Sequence, residues 1–252
     1  MRSIVVIAVL MIVTALPAAY SALPDYIVLY FNFNEGGGNK AVDLSQYGNN
    51  GEITGNPEWV DGKSGKAIHL DGSSVVITVP PSDSLTSLTS PLSVGAWIKP
   101  VSFPVEWQCL IEMESSADDR TNGWKIGFHN QNPVFTTYGH KDHFADQITL
   151  NENEWIYFAV VADGTNVNFY INGDLAQQVP FEGTIDVTNS PGVNIGAEKG
   201  QPGNWYSDVI LDELWVANKA LSADEVKTLS APSAAAVRPS EKLTTTWGEI
   251  KK

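Results

Sequence analysis

Cysteine is nearly absent from this chain of 252 residues: Cys109 is the only one. No internal disulfide can form, so the fold must stand on its core, with or without a metal. Cys109 lies in an apolar, strand-like run, Trp107-Gln-Cys-Leu-Ile-Glu112, with no base assigned to it, and reads as a buried inert thiol. Positive charge is also scarce, with 15 Lys and Arg against 29 Asp and Glu and a formal charge of −14. That balance excludes nucleic-acid binding through phosphates. It suits a soluble chain whose partner is a divalent cation or a neutral molecule such as a sugar. Helical periodicity is rare too. So are catalytic signatures: His69, His129, His140 and His143 stand at no recognised zinc spacing, and no Gly-x-Ser-x-Gly elbow occurs.

Long apolar runs end early. Ile4 to Leu16 is almost unbroken, preceded by Arg2 and followed by the small residues Ala18, Ala19, Ser21 and Ala22. This three-part pattern predicts a secretory signal peptide over 1–21, cleaved after Ser21. The rival reading, an uncleaved anchor, falls short of the ~18 apolar residues that a span needs. Loss of Arg2 takes the charge from −14 to −15, since the segment contains no Asp or Glu. No later stretch is long enough to cross a bilayer, so no membrane insertion of the mature chain is expected. The expected location is secreted, cell-surface or periplasmic.

What remains is short strands bounded by Gly, Asn, Asp and Pro. Ile27 to Phe33, Leu92 to Ile98 and Asn166 to Ile171 alternate apolar and other residues, whereas Trp155 to Ala162 is apolar on both faces, as in a strand buried on both sides. Asn172-Gly173 suits a type I′ hairpin, and with Asp163-Gly164 it predicts a three-stranded meander over Trp155 to Val179. Further turns are expected at Asp61-Gly62, Asp71-Gly72, Pro80-Pro81 and Asn122-Gly123. The clearest helix start is the capping box Ser222-Ala-Asp-Glu225. Val209 to Val216 reads as a late buried strand whose natural partner is the first, Ile27 to Phe33. The expected fold is therefore all-β, a two-sheet antiparallel β-sandwich or jelly roll with one short C-terminal helix. It occupies 22–229 as one domain, and 230–252 forms a flexible C-terminal tail, either frayed or carrying a docking peptide around Trp247 and Ile250.

The order of several blocks resembles one family. These are Leu29-Tyr-Phe-Asn-Phe-Asn-Glu-Gly36, Trp59-Val-Asp-Gly-Lys-Ser-Gly-Lys-Ala67, Leu70-Asp-Gly-Ser-Ser-Val-Val-Ile-Thr-Val79, Ser93-Val-Gly-Ala-Trp-Ile-Lys-Pro100 and Leu211-Asp-Glu-Leu-Trp-Val-Ala-Asn-Lys-Ala-Leu-Ser222. Together they resemble the LamG-like jelly-roll domains of the concanavalin A-like lectin/glucanase superfamily, from near Tyr26 to Leu229. The resemblance implies a structural Ca²⁺ between first and last strands, with Asp212 as anchor and Asn34 and Glu35 as further oxygen donors. Asn34 stands where the family usually has Asp, which removes one charge from that site. Asp212 and Glu213, as strand neighbours, are expected on opposite faces and so do not form a catalytic pair.

Two further constellations bear on function. Trp107, Trp124, Trp205 and Tyr206 flank or sit in loop-rich segments, with His140 nearby. Aromatic rings on a rigid scaffold stack against the apolar faces of sugars. Against this stands packing, the expected role of Trp97, Trp155 and Trp215 and an alternative for Trp124. Glu112-Met-Glu114 places two acids on one strand face, as in a retaining glycosidase, but the segment runs into a polar loop and Glu114 reads as a solvated loop acid. The expected function is an exported, non-catalytic binding or adhesion module for extracellular glycan. The alternatives are a protein-interaction module for a surface protein, and then a glycoside hydrolase.

Overall fold

The computed structural model describes residues 23–116, 119–198 and 202–231. The expected signal segment 1–21 and the tail from 232 onward, with Trp247, lie outside the described residues. The strands are β1 (Ile27–Phe31), β2 (Lys40–Ala41), β3 (Gly51–Thr54), β4 (Glu58–Asp61), β5 (Lys66–Asp71), β6 (Val76–Val79), β7 (Leu92–Ser102), β8 (Trp107–Ser116), β9 (Asp119–His129) and β10 (Asn132–Thr137). They continue with β11 (Lys141–Phe144), β12 (Ile156–Ala162), β13 (Asn166–Ile171), β14 (Asp174–Pro180), β15 (Val193–Ile195) and β16 (Asp208–Ala217). Two short helices, α1 (Asp83–Thr86) and α2 (Ala223–Leu229), and a 3₁₀ turn at Pro202–Trp205 complete the described elements.

The strands form two eight-stranded antiparallel sheets. Sheet I runs β14-β13-β12-β7-β16-β5-β4 with β1 also on β16, and sheet II runs β11-β10-β9-β8-β15-β6-β3-β2. The apolar faces of the two sheets meet in one core that includes Leu29, Phe31, Ile98, Ile126, Phe158 and Leu214. Alternation explains most of it. In β12, Ile156, Phe158, Val160 and Ala162 enter this core, while Tyr157, Ala159 and Val161 face the other way. That other face carries a second cluster, with Trp97, Tyr170 and Trp215, which α2 covers through Val226. The strand predicted to be buried on both sides is therefore buried on both sides.

The first and last strands pair as expected, Leu29 with Val216 and Phe31 with Leu214. The meander β12-β13-β14 also forms, and Asn172 and Gly173 take φ of 53° and 85°, both in the left-handed region of a type I′ turn. Ser222 and Glu225 close a reciprocal capping box on α2. The sequence reading omits α1, which Ser82 caps through its side chain.

One expected turn is corrected. Asn122-Gly123 lies inside β9, where Gly123 has φ of 109° and the β8–β9 register shifts between Glu114 and Ser116. A Cβ on Gly123 would sit 2.2 Å from the Met113 carbonyl oxygen, so the glycine supplies close strand approach and a bulge, not a reversal.

Gly95, on the outer face of β7, lies opposite Trp215. An added Cβ there would come within 2.4 Å of the indole ring. Gly95→Ala should therefore lower the urea midpoint by an amount equivalent to about 1–3 kcal/mol. Gly37→Ala, which meets nothing within 4 Å, should leave the midpoint nearly unchanged.

Candidate functional site

A continuous polar row crosses the outer face of sheet II. Successive cross-strand partners are Lys40, Glu52, Thr78, Asn194, Glu112, Lys125, Thr136 and Asp142, one from each strand. Because side chains alternate along a strand, these eight share the face opposite the core. Several are joined: Asn194 Nδ2 donates to Glu112 Oε1 at 3.1 Å, and the Thr136 hydroxyl donates to Asp142 Oδ1 at 2.6 Å.

The middle of the row is buried. Glu198, which follows β15, is fully enclosed between Lys125 Nζ and Arg120 Nε, each at 2.7 Å. Ligand oxygens of Glu112, Glu114 and Glu198 lie within 4.8 Å of one another. The Tyr138 hydroxyl donates to Glu112 Oε2 at 2.6 Å. Burial pushes the Glu112 carboxyl up to about 8, against the lowering effect of its Tyr138 and Asn194 hydrogen bonds and with help from the charges of Glu114 and Glu198. Two cations face three carboxyl groups, so a proton kept on Glu112 leaves the set balanced. A metal among these acids would have to displace the two cations, so the group reads as an internally compensated cluster.

Aromatic rings border this cluster. Trp107 and Trp205 stack with centroids 5.6 Å apart and planes 21° from parallel. His129 and the exposed Phe144 lie against Trp107 at 4.6 and 5.9 Å. Lys125 Nζ stands 4.5 Å from the Trp205 ring centroid, and the Arg120 guanidinium lies 5.2 Å from both Trp205 and Tyr138. Beyond Arg120 opens a pocket of about 220 Å³, lined among others by Thr136, Tyr138, His140 and Asp142.

The structure thus brings Trp107, Trp205 and, across Arg120, His140 onto one face. Tyr206 joins them through a backbone bridge to Cys109, with its hydroxyl accepting from Asn204 at 3.2 Å. Trp124 does not belong here. It is fully buried in the core between the sheets, one residue out of phase with Lys125 on an alternating strand. Glu114 also differs from expectation: β8 stays paired as far as Ser116, and the side chain is buried, not a solvated loop acid. Cys109 is buried and free, with its thiol pushed well up by burial.

The expected donors of the calcium site divide. Asp212 Oδ2 accepts from the Ser64 amide at 3.0 Å and Asn34 Oδ1 from the Lys66 amide at 2.7 Å, so both dock on the turn between β4 and β5. Glu35 does not join them, because its Oε1 takes the Val42 amide at 2.7 Å. Asp212 Oδ1 is enclosed with no hydrogen-bond donor among the described residues. Burial, more than any neighbour, raises the Asp212 carboxyl to about 7.

The expectation that Asp212 and Glu213 face opposite ways is overturned. The register of β16 shifts between Asp212 and Trp215, and Glu213 takes φ of 52°. The bulge turns both toward the outer face of sheet I, where Asp212 pairs with Trp97 and Glu213 accepts from the Tyr30 hydroxyl.

Glu112 yields a pH test. Its folded pKa lies above the ordinary carboxylate value, so its favourable contribution is complete below about pH 4.5 and fades as pH rises through about 8. The urea midpoint of the wild type should fall across that range, by up to a few kcal/mol at ~1.4 kcal/mol per unit. Glu112→Gln, which keeps the shape without the charge, should remove the fall between about pH 7 and 8 and lessen it below, where Asp212 also titrates.

Among solved structures, the binding domain of Paraclostridial Mosquitocidal Protein 1 superposes with a TM-score of 0.64 at 21% identity, over 82% of this chain and 52% of that one. The Botulinum Neurotoxin serotype G binding domain gives 0.63 at 18%, over 81% and 50%. Domain 4 of AbnA, a GH43 extracellular arabinanase from Geobacillus stearothermophilus solved with arabinotriose, gives 0.63 at 21%, over 81% and 98%. At these identities the likeness is one of fold. In sequence, a non-toxic nonhemagglutinin of Paraclostridium bifermentans is 24% identical over 213 residues, which cover 81% of this chain and 17% of that protein. The chain spans about half the length of the two toxin binding domains and a small part of the nonhemagglutinin. Residues 71–227 match the Laminin_G_3 family, and the chain belongs to the concanavalin A-like lectin/glucanases superfamily.

Proposed function

We propose that this chain is an exported, non-catalytic binding module that takes extracellular glycan on the outer face of sheet II. The observation that carries this reading is the partly exposed Trp107–Trp205 stack beside the polar row. Stacked indoles offer apolar area to the CH face of a sugar, and the neighbouring polar groups are spaced along the strands to meet its hydroxyls. Comparison with the arabinanase domain solved with arabinotriose supports a sugar ligand for this fold. Absence of catalysis is supported by the state of the acids. Glu112, Glu114 and Glu198 are buried, and Glu112 is spoken for by Tyr138 and Asn194, so no two of these three stand open on either side of a glycosidic bond. Among the described residues no helix is long and apolar enough to cross a membrane.

A protein partner is the second reading, supported by the related fold of a Botulinum neurotoxin DC binding domain solved with rat synaptotagmin II. A structural Ca²⁺ on Asp212 and Asn34 belongs to the proposal as well. It is supported by the enclosed Asp212 Oδ1 atom, which meets no hydrogen-bond geometry with a donor among the described residues and which a cation would satisfy.

Trp107→Ala and Trp205→Ala should each weaken retention on a glycan array at least tenfold without changing the fold. Retention equal to wild type in both would remove the aromatic face from the reading. Chelator should lower the melting temperature of the wild type and leave Asp212→Ala unmoved; an unshifted wild-type melt would dismiss the calcium.

A further inference from the structure

The pocket beyond Arg120 is separate from the Trp107–Trp205 stack but contiguous with it, because Arg120 reaches both. Its volume, about 220 Å³, is below the ~300–1,000 Å³ of sites that enclose larger ligands, so it has room for one small unit. Two of its groups have hydrogen-bonding capacity to give. Arg120 Nε forms an ion pair with Glu198 at 2.7 Å without hydrogen-bond geometry, and its guanidinium lies 5.2 Å from the Tyr138 and Trp205 ring centroids; among the described residues no other protein acceptor meets it. Asp142 holds the Thr136 hydroxyl on one oxygen, and its second has no partner among the described residues.

The third charged group, Lys141, is engaged by Glu182 at 3.0 Å. The pocket therefore offers one donor fork and one acceptor. Hydroxyls both donate and accept, so a pair on adjacent ring carbons fits this combination, whereas an anion would face the Asp142 carboxylate. We infer that the pocket is a subsite for one terminal, uncharged sugar ring, its neighbouring hydroxyls held between Arg120 and Asp142, with the rest of the chain running toward the partly exposed Trp107–Trp205 pair. This rests on the glycan-binding reading above and adds to it that recognition is of a chain end.

The test uses the mature protein, the methyl glycosides of arabinose, galactose, glucose and mannose, and arabinotriose, titrated by calorimetry alongside the glycan array. At least one single-ring glycoside should bind and should compete with array glycans. Arg120→Lys and Asp142→Asn should each weaken it tenfold or more. Arg120→Lys keeps a cation beside the buried Glu198, and Asp142→Asn changes a partly exposed group, so unchanged melting separates loss of binding from loss of fold. If array glycans are retained and depend on Trp107 while no glycoside binds, or both variants bind as wild type, the chain-end subsite is overturned and the aromatic face survives. Binding only of carboxylated sugars, strengthened by Asp142→Asn, also overturns it. Failure of the array and of every glycoside overturns both readings.

Discussion

The fold depends on what β16 holds together. One edge of this strand carries β7 along its length, while the other is shared end to end: Asp208 to Leu211 pair with β5, and Leu214 to Ala217 pair with β1. The bulge around Glu213 falls at the junction between the two partners. A regular strand would carry its alternation unbroken through this point, but an extra residue bends it and resets the register. The same bulge brings Asp212 against the turn between β4 and β5, and Glu213 onto Tyr30 of β1. Strands that are far apart in sequence thus close on one segment, which the lone cysteine cannot staple.

Sheet II solves a different problem. Its inner face packs like any sandwich, but the middle of its outer face buries Lys125, Glu112 and Glu198. Isolated ionised groups there would be costly, since desolvation outweighs what one imperfect ion pair returns. The arrangement avoids the cost in three ways. Glu198 has two cationic partners, Glu112 holds its proton near neutrality, and tryptophan and tyrosine faces lie over the cations. Trp205, Arg120 and Tyr138 each contact this polar core directly. These are the groups that border the proposed sugar site. Rigid placement reduces the ordering cost of binding.

A shared fold leaves open what such a face recognises. The superposed structures include toxin binding domains and a domain of a glycan-degrading enzyme, built on one sandwich. Recognition resides in the side chains set upon it. In this chain the proposed recognition groups are the Trp107–Trp205 stack and the Arg120 pocket, neither of which follows from the matched family region alone.

The sequence by itself determined the architecture, because the signals are local. Alternation in β7 and β13, the apolar run of β12, the Asn172-Gly173 turn and the Ser222–Glu225 capping box each specify geometry within a few residues. Trp107, Trp205 and His140 were legible as site candidates for the same reason, as aromatic or polar groups at strand ends and in turns. What tertiary structure decided was everything that depends on phase or on distant partners. Trp124 and Lys125 are neighbours in sequence, yet the pleat sends one to the core and the other to the polar row. Arg120, Glu198 and Tyr138 carry no motif, and they meet only because β8, β9, β10 and the segment after β15 converge. A one-residue bulge likewise placed Asp212 and Glu213 on one face where strict alternation separates them. Alternation is a short-range rule, and a single inserted residue or a cross-strand register changes its outcome; only the assembled sheets contain that information.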